Sequence, residues 1–282
     1  MPIATTQKNK LFFRKTGDNG KTIVIIHGLY GSSDNWMTVA RKLSETNVVY
    51  CIDQRNHGRS PHFPVHDYES MKEDLASFFI RQHIDKAIVI GHSMGGKAAM
   101  LFAAEYPNFV EQLVVVDICP KDYLSLGEGS QVYEHRLILE TLMELQHLRS
   151  SFNSKKEIVD FLKLKLGNQS LVLFLSKSIP WNREKGTFDL LLNVEVLYDY
   201  LDEIINGVNE LKLASKAPIS TYDVLFIRGL NSSYISDNDI PLIKHIYPYS
   251  QIADIPNAGH WLHAEQPQLF MKIIQNFINQ SE

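Results

Sequence analysis

The most constraining feature of this chain is an apolar run that passes through Gly91-x-Ser93-x-Gly95 directly into a helical pattern. A serine between two glycines at such a junction is typical of a nucleophile elbow, a turn too tight for side chains beside the serine. The serine hydroxyl is then lifted off the end of a sheet. The N-terminus of the following helix supplies a free N–H and a positive dipole end, where a negative oxygen forms when an acyl group is attacked. The stretch therefore predicts acyl transfer at Ser93.

Short β-branched runs alternate with helical patterns along much of the chain. The predicted core strands are 22–27, 47–53, 86–91, 112–118, 223–228 and 250–255, with an edge strand at 11–15. Helical patterns separate several of these strands and cover 36–43, 71–83, 97–105 and 268–279. Continuous apolar strands indicate a sheet that is buried on both faces. Strands that alternate with helices predict an α/β fold with a mostly parallel, doubly wound sheet.

The alternation stops between about residue 121 and residue 218, where the pattern reads as helices only. Helices are predicted over 133–147, 156–166 and 194–205. So long a helical run between two core strands indicates a helical lid inserted into one domain. We therefore predict an α/β core formed by 1–120 and 219–282, with a lid at 121–218.

Composition and charge argue against several classes of protein. The 282 residues carry a net charge of −4 with both signs interspersed, so no nucleic-acid partner is expected. The chain has no leader-like N-terminal pattern and no apolar run of the ~20 residues that span a bilayer, so no membrane span is expected. Cys51 and Cys119 lie in or beside predicted core strands, which predicts buried free thiols, no zinc site and a cytoplasmic location.

A serine hydroxyl is a weak nucleophile, and His260 is the best candidate for the base that it needs. His260 follows the last predicted strand and precedes the last predicted helix, where a loop crosses the carboxyl edge of the sheet. His263 lies three residues later and is expected to be a partly exposed helix residue. The position of His260 directly after the last predicted strand distinguishes it from the other histidines of the chain.

The carboxylate that orients the imidazole has two candidate positions. In most folds of this kind the acid follows the strand after the lid, but residues 230–233 are Leu-Asn-Ser-Ser and the nearest carboxylate is Asp237. Asp117 instead ends the strand that directly follows the elbow helix, so its carboxyl group is expected near the same loop. We predict that Asp117 is the acid and keep Asp237 as the alternative.

An oxyanion hole needs two backbone N–H donors. The N–H of Met94 directly follows the nucleophile, and that of Leu29 lies in the glycine-flanked loop after the first core strand. Asp53, after the second core strand, is predicted to be structural, with its carboxylate holding Arg55 and neighbouring N–H groups under the site. This chemistry needs no cofactor and no metal.

Four motifs, in this order and each after its own predicted strand, resemble the α/β-hydrolase superfamily over nearly the whole chain. They are His27-Gly28-Leu29-Tyr30-Gly31, Asp-Gln-Arg-Asn-His-Gly-Arg-Ser at 53–60, Gly-His-Ser-Met-Gly-Gly-Lys at 91–97 and Asn-Ala-Gly-His-Trp at 257–261. The resemblance implies an α/β-hydrolase fold with an inserted helical lid.

A narrower resemblance lies in Arg-Asn-His-Gly at 55–58, Val-Asp-Ile-x-Pro at 116–120 and Arg-Gly-x-Asn-Ser at 228–232. These stretches are similar to YbfF-type bacterial esterases and to mitochondrial abhydrolase-domain proteins. The resemblance implies that the acid comes from the strand after the elbow helix, in agreement with Asp117. It also implies that Ser232 lies near the site and supports the histidine or the acid. Members of this branch hydrolyse small acyl esters, and some act on acyl-CoA thioesters.

The working prediction is a serine esterase that acts on short- to medium-chain acyl esters through Ser93, Asp117 and His260 and an acyl-enzyme intermediate. Two explanations, an acyl pocket or helix packing, are open for four lid residues, namely Trp181, Phe188, Leu191 and Tyr198. The alternative is an acyl-CoA thioesterase, for which the candidate phosphate ligands are Arg183, Lys185 and Lys121, unless these are simply solvated. A cofactor-free lyase or oxygenase and a ligand-binding or regulatory protein on the same fold also stay open.

Overall fold

The computed structural model describes residues 10–124 and 131–280. Its strands are β1 (Phe13–Thr16), β2 (Thr22–Ile26), β3 (Val48–Ile52), β4 (Ala87–His92), β5 (Val110–Val116), β6 (Trp181–Asn182), β7 (Thr187–Phe188), β8 (Asp223–Gly229) and β9 (Gln251–Ile255). Within the described ranges, all of them except β6 and β7 form one sheet in the order β1-β3-β2-β4-β5-β8-β9. The edge strand β1 pairs antiparallel with β3, and the other pairings in this sheet are parallel.

The helices lie between and after the strands along the chain. They are α1 (Met37–Leu43), α2 (Tyr68–Arg81), α3 (Met94–Glu105), α4 (Gln131–His147), α5 (Lys155–Leu166), α6 (Gln169–Leu175), α7 (Val194–Asp199), α8 (Leu201–Asn206), α9 (Glu210–Ala214), α10 (Ile240–Ile246), α11 (Leu262–Glu265) and α12 (Pro267–Asn279). Across residues 10–124 and 131–280, no helix combines the length and the apolar character that crossing a membrane requires.

The sheet is buried on both faces, as its continuous apolar strands predict. Ile23 and Ile25 of β2 face a core shared with α1 and α12, whereas Val24 and Ile26 face a core shared with α2 and α3. All four side chains are at most 1% exposed. Successive side chains of a strand point to opposite faces, so helices on both sides are needed to cover them. The predicted α/β fold with a mostly parallel, doubly wound sheet is confirmed.

The segment between β5 and β8 differs in detail from the prediction of helices only. It contains α4 to α9, but also a short hairpin in which β6 pairs antiparallel with β7. Gly186 stands in the hairpin turn at a φ of 61°, a conformation that glycine adopts without strain. The helix predicted over 194–205 is two helices, α7 and α8, which meet at Tyr200. Parts of the predicted core and lid lie outside the described residues, namely 1–9, 125–130 and 281–282.

Two buried histidines hold the loops at the carboxyl ends of β2 and β3. The Nδ1–H of His27 donates to the carbonyl of the next residue at 2.8 Å, and Nε2 accepts from the N–H of Gln54 at 3.0 Å. The Nδ1–H of His57 donates to the Arg55 carbonyl at 2.9 Å, and Nε2 accepts from the N–H of Tyr30 at 3.1 Å. A ring that donates through one nitrogen and accepts through the other is neutral. Burial favours the same state, lowering the pKa of His27 to about 4 and that of His57 to about 3.

Asp53 has the predicted structural role, but not with the predicted partner. Its carboxylate accepts the N–H of Ser33 at 2.6 Å and the N–H of Arg59 at 2.8 Å, and so ties two loops together. The Arg55 side chain instead forms a buried bidentate ion pair with Asp74 of α2, with Nε 2.6 Å from Oδ2 and Nη2 2.9 Å from Oδ1. The prediction that Asp53 holds Arg55 is therefore wrong. The planar guanidinium is matched by both oxygens of the Asp74 carboxylate, while the Asp53 oxygens bind backbone N–H groups.

The buried Arg55–Asp74 pair generates a stability prediction. We expect Asp74→Ala to lower the free energy of unfolding by about 3–5 kcal/mol, because it leaves the guanidinium buried without its carboxylate. Equilibrium urea unfolding measures this loss. The control is Glu45→Ala, which breaks the exposed Lys42–Glu45 pair, with side chains 54% and 59% exposed, and should cost less than about 1 kcal/mol. Equal losses in the two variants would contradict the assignment.

The neutral buried histidines generate a pH prediction. The folded-state pKa values of His27 and His57 lie below the unfolded value, so below pH 6.5 the unfolded chain binds more protons than the folded chain. Each ring therefore lowers the free energy of unfolding by about 1.4 kcal/mol per pH unit as the pH falls from 6.5 towards 4. Urea unfolding at pH 7, 6 and 5 measures the slope. Replacing the exposed His83 with Asn should leave that slope unchanged, and a pH-independent stability would refute the assignment.

Candidate active site

Ser93 lies at the junction of β4 and α3 with a φ of 53° and a ψ of −123°. A Cβ added to Gly91 would lie 2.3 Å from the Gly95 carbonyl oxygen, and one added to Gly95 would lie 2.4 Å from the His27 carbonyl oxygen. Side chains at these two glycines would therefore collide with backbone. The N–H of Ser93 donates to the Val116 carbonyl of β5 at 3.0 Å. This is the tight turn that the spacing predicts, with the serine at its apex.

Asp117 and His260 are brought together although 142 residues separate them in the printed sequence. His260 Nδ1 lies 2.7 Å from Asp117 Oδ2, and the Asp117 side chain is fully buried. The Ser232 hydroxyl donates to the same Oδ2 at 2.5 Å, and the N–H of Gly229 donates to Oδ1 at 3.1 Å. A carboxylate oxygen accepts, so the proton of a neutral His260 lies on Nδ1 and leaves Nε2 as a proton acceptor.

Asp237, the alternative acid, lies in a different environment. Its side chain is 85% exposed and forms an ion pair with Arg228 at 2.7 Å. Arg228 also pairs with Asp254 of β9 at 2.7 Å. The structure thus places the Asp237 carboxylate in a solvent-facing ion-pair group, while the carboxylate that contacts His260 belongs to Asp117.

Two residues that the sequence reasoning missed also contact His260. The Tyr234 ring stacks on the imidazole, with ring centroids 4.0 Å apart and an angle of 21° between the planes. The Nε2–H of His92 donates to the His260 carbonyl at 2.9 Å, and burial lowers the pKa of His92 well below its usual value. The position of Tyr234 near the site could have been predicted, because it lies two residues after Ser232 in the same loop. His92 precedes the serine, and no sequence pattern indicated its contact.

The loop after β2 runs beside the serine, as the oxyanion-hole prediction requires. A Cβ on Gly28 would lie 3.0 Å from the Ser93 Cβ, so the backbone here closely approaches the elbow. The N–H of Leu29 donates to no other group in the part of the chain that the structure describes. Met94 is the first residue of α3, where backbone N–H groups have no partner within the helix. Both residues line a cavity that reaches Ser93.

Ser93 and His260 open into a cavity of about 410 Å³. Side chains from the segment between β5 and β8 cover it, among them His135, Ile138, Leu171 and Phe174. His135 of α4 contacts the core through its ring nitrogens, each 3.3 Å from a tyrosine hydroxyl, those of Tyr30 and Tyr234. Burial lowers the pKa of His135 to about 4. No sequence pattern indicated this residue, which a distant helix brings to the site.

The four lid residues considered for an acyl pocket do not line this cavity. For Phe188 and Tyr198, the contacts agree with the other explanation, packing within the lid. Phe188 is fully buried against the Phe152 ring, and the Tyr198 ring lies under the Arg136 guanidinium. The four residues outside the lining are Trp181, Phe188, Leu191 and Tyr198. The sequence left both explanations open, because the packing of the helices decides which face reaches the serine.

The basic residues considered for coenzyme A phosphates also lie away from this cavity lining. Lys121 forms an ion pair with Asp239 at 2.7 Å, and Lys185 lies 3.8 Å from Asp189. Arg183 is exposed beside the hairpin turn. Among the described residues that line the 410 Å³ cavity there is neither lysine nor arginine.

Three further sequence expectations concern histidine and cysteine. His263 lies in α11 as predicted, but it is buried rather than partly exposed, and its ring stacks on Trp36 with centroids 4.3 Å apart. Cys51 and Cys119 are buried free thiols, as predicted. Over the described ranges, no cluster of three or more His, Cys, Asp or Glu side chains is arranged to hold a metal ion.

The chain matches the family described as having the alpha/beta hydrolase fold over residues 21–267. It is 33% identical to the esterase YbfF of Escherichia coli over 261 residues, which covers 93% of this chain and 94% of that protein. It is 34% identical to the sn-1-specific diacylglycerol lipase ABHD11 of Danio rerio over 258 residues, which covers 91% of this chain and 78% of that protein. The resemblance to esterases of the YbfF type and to abhydrolase-domain proteins is therefore confirmed.

A solved structure described as a marine microorganism esterase has the same fold. It superimposes with a TM-score of 0.87 at 40% identity, which covers 95% of this chain and 99% of that chain. These three relatives are two esterases and a lipase, and the family match spans β2 to β9 and the elbow. The chain belongs to the α/β-hydrolase family and is an enzyme of the esterase and lipase type, which hydrolyses carboxylic esters.

Proposed function

We propose that this enzyme is a serine hydrolase of short- to medium-chain acyl esters, with Ser93 as nucleophile, His260 as base and Asp117 as the orienting acid. The contact of 2.7 Å between His260 Nδ1 and the buried Asp117 carboxylate carries the proposal. It fixes the imidazole tautomer with Nε2 free to accept a proton, in a cavity shared with Ser93. No cofactor takes part in this mechanism.

In the first half-reaction, Ser93 Oγ attacks the carbonyl carbon of the ester while its proton passes to His260 Nε2. The carbonyl double bond opens, and its oxygen becomes an oxyanion that the N–H groups of Leu29 and Met94 stabilise. The Asp117 carboxylate stabilises the imidazolium. The intermediate then collapses: the ester C–O bond breaks, His260 returns its proton to the leaving alcohol, and the acyl group stays on Ser93.

In the second half-reaction, water replaces the alcohol. His260 Nε2 takes a proton from the water as its oxygen attacks the acyl carbon, and a second oxyanion forms between the same two N–H groups. Collapse breaks the bond to Ser93 Oγ, which recovers its proton from His260. The products are the carboxylic acid and the free enzyme, so every proton and electron pair is accounted for.

Ser232 and Tyr234 have positioning roles in this proposal. The Ser232 hydroxyl donates to the carboxylate oxygen that also faces His260, so it restricts rotation of the Asp117 carboxyl group. The Tyr234 ring covers one face of the imidazole, where its π electrons favour the positive charge that develops on His260. Neither residue exchanges a proton with the substrate.

The segment 121–218 acts as a lid in this proposal, over the core formed by 1–120 and 219–282. Its Ile138, Leu171 and Phe174 give the cavity an apolar cover, which suits the hydrocarbon part of an ester. The cavity lining described above contains neither lysine nor arginine, and this favours simple esters over coenzyme A thioesters, whose phosphates need cationic partners.

Ser93→Ala tests the nucleophile. We expect turnover of 4-nitrophenyl acetate to fall by roughly 10³–10⁶-fold, because no other group on the proposed path forms the acyl-enzyme. The matched control is Ser215→Ala, which removes an exposed hydroxyl and should leave turnover unchanged. Turnover that survives Ser93→Ala in the folded enzyme would refute the proposal.

Asp117→Asn and Asp237→Asn separate the two candidate acids. We expect Asp117→Asn to lower kcat by on the order of 10³–10⁴-fold, because an amide N–H facing Nδ1 favours the wrong imidazole tautomer. Asp237→Asn should change kcat by less than about twofold, since this carboxylate contacts Arg228 at the surface. The reverse ranking, measured with 4-nitrophenyl acetate, would show that the acid assignment is wrong.

A further inference from the structure

A second, much smaller cavity also reaches Ser93, and His260 is not part of its lining. Its volume is about 30 Å³, and its lining includes Met94, Lys97 and Ile205. The larger cavity of about 410 Å³ includes His260 and Trp261 but neither Met94 nor Lys97. The two cavities share Leu29, Ser93, His135 and Tyr234 and differ beyond them: the larger one extends to the histidine, and the smaller one, here called the inner pocket, extends along α3.

The proposed mechanism decides which half of an ester each chamber receives. The leaving oxygen takes its proton from His260, so the alcohol must lie on the histidine side of the acyl carbon. The carbonyl oxygen points to the N–H groups of Leu29 and Met94. The remaining substituent of the tetrahedral carbon is the acyl chain, and it points away from both. The inner pocket, whose lining excludes the leaving-group histidine, is the chamber next to Ser93 that is left for the acyl chain.

Lys97 lines the inner pocket. It lies one helical turn after Ser93 in α3, and its side chain is fully buried. The ammonium donates to the Ile205 carbonyl of α8 at 2.6 Å and to the Lys121 carbonyl at 3.3 Å. The Tyr123 ring lies 4.9 Å from the same nitrogen. The lysine thus connects the elbow helix to a helix of the segment between β5 and β8.

The surroundings of Lys97 make it a steric stop and not an anion receptor. An ammonium has three N–H donors, and here two carbonyl oxygens and an aromatic face surround it. A carboxylate at the end of an acyl chain would have to displace one of these partners. Burial lowers the pKa of Lys97 to about 7, as expected where water is largely excluded. The rest of the pocket lining is mostly apolar and includes Met94, Ile118, Ile204 and Ile205.

We propose that the inner pocket holds the acyl chain, that Lys97 limits this chain to two or three carbons, and that the larger cavity accepts a bulky alcohol. This inference rests on the proposed serine mechanism and narrows its substrate class to acetyl and propionyl esters of larger alcohols. A volume of about 30 Å³ has room for about two water-sized groups, so only the first carbons of an acyl chain fit. The lysine is a specificity residue here, since it contacts the acyl chain and not the reacting atoms.

Two substrate series test the assignment. The first keeps 4-nitrophenol as the leaving group and lengthens the acyl chain from acetyl to octanoyl. The second keeps the acetyl group and enlarges the alcohol from ethyl to octyl, with release of acetic acid as the readout. For the unmodified enzyme, we expect kcat/KM to fall at least about tenfold between propionyl and hexanoyl in the first series. In the second series it should stay level or rise.

Variants on each side of the serine complete the test. Lys97→Ala and, independently, Ile205→Ala enlarge the inner pocket and should raise the hexanoyl-to-acetyl ratio of kcat/KM by about tenfold. Lys97→Met keeps the length of the side chain and should leave this ratio within about threefold of the original. Phe174→Ala enlarges the other chamber, so it should alter the alcohol series and not the acyl ratio. Because Ile205→Ala keeps the lysine, its hexanoyl-to-acetyl ratio tests the inner-pocket assignment even if Lys97→Ala does not fold.

Failure of the inference and failure of the mechanism look different. A ratio unmoved by Ile205→Ala, with turnover still dependent on Ser93, would overturn the inner-pocket assignment alone. So would an unmodified enzyme that prefers octanoyl esters, or one that prefers a 4-nitrophenyl hemisuccinate, which carries a terminal carboxylate, to the propionate. Turnover that is independent of Ser93 would overturn the proposed function itself.

Discussion

The buried Asp117 carboxylate is the interaction on which the rest of the site depends. It stands at the end of β5 with a φ of 51° and accepts hydrogen bonds from Gly229, Ser232 and His260. Gly229 ends β8, and Ser232 and His260 lie in the loops after β8 and β9, so one charge joins three segments of the chain. A buried carboxylate is costly unless its oxygens are hydrogen-bonded, and here the folding of two loops supplies the donors. The same requirement therefore holds the site together and orients the imidazole.

The position of this acid has consequences for the neighbouring loop. The carboxylate comes from the end of β5. The loop after β8, where most folds of this kind carry the acid, contributes the Ser232 hydroxyl to that carboxylate instead. The carboxylate nearest after β8, Asp237, is exposed and pairs with Arg228 of β8, which also pairs with Asp254 of β9. The parallel sheet makes the arrangement possible, because the carboxyl ends of β4, β5, β8 and β9 meet at one edge. An acid on either strand can then reach the histidine.

The parts of the site that could be predicted are those encoded by residues contiguous in the sequence. The elbow around Ser93, the loop with Leu29 and the strand that ends at Asp117 are encoded in contiguous residues, and the structure places them close to the predicted positions. His135, Phe174 and Lys97 could not be assigned, because their relation to the serine depends on how the helices between β5 and β8 pack across the core. The two explanations for Trp181 and Phe188 stayed open for the same reason, since an aromatic residue on an amphipathic helix or hairpin packs as readily inwards as towards a substrate.

In the proposed mechanism, catalysis passes through an acyl-enzyme on Ser93. His260, oriented by Asp117, acts as the base both when this acyl-enzyme forms and when water hydrolyses it. The most direct measurement is rapid acid quenching of the enzyme during turnover of 4-nitrophenyl acetate, followed by mass spectrometry of the peptide that contains Ser93. The account predicts a burst of nitrophenol and a mass gain of one acetyl group on Ser93 during turnover, which disappears once the substrate is consumed. Acetate esters of several alcohols that give no burst, no acetylated Ser93 peptide and no common partitioning ratio between water and added methanol would contradict it, because no shared acetyl-enzyme would then form.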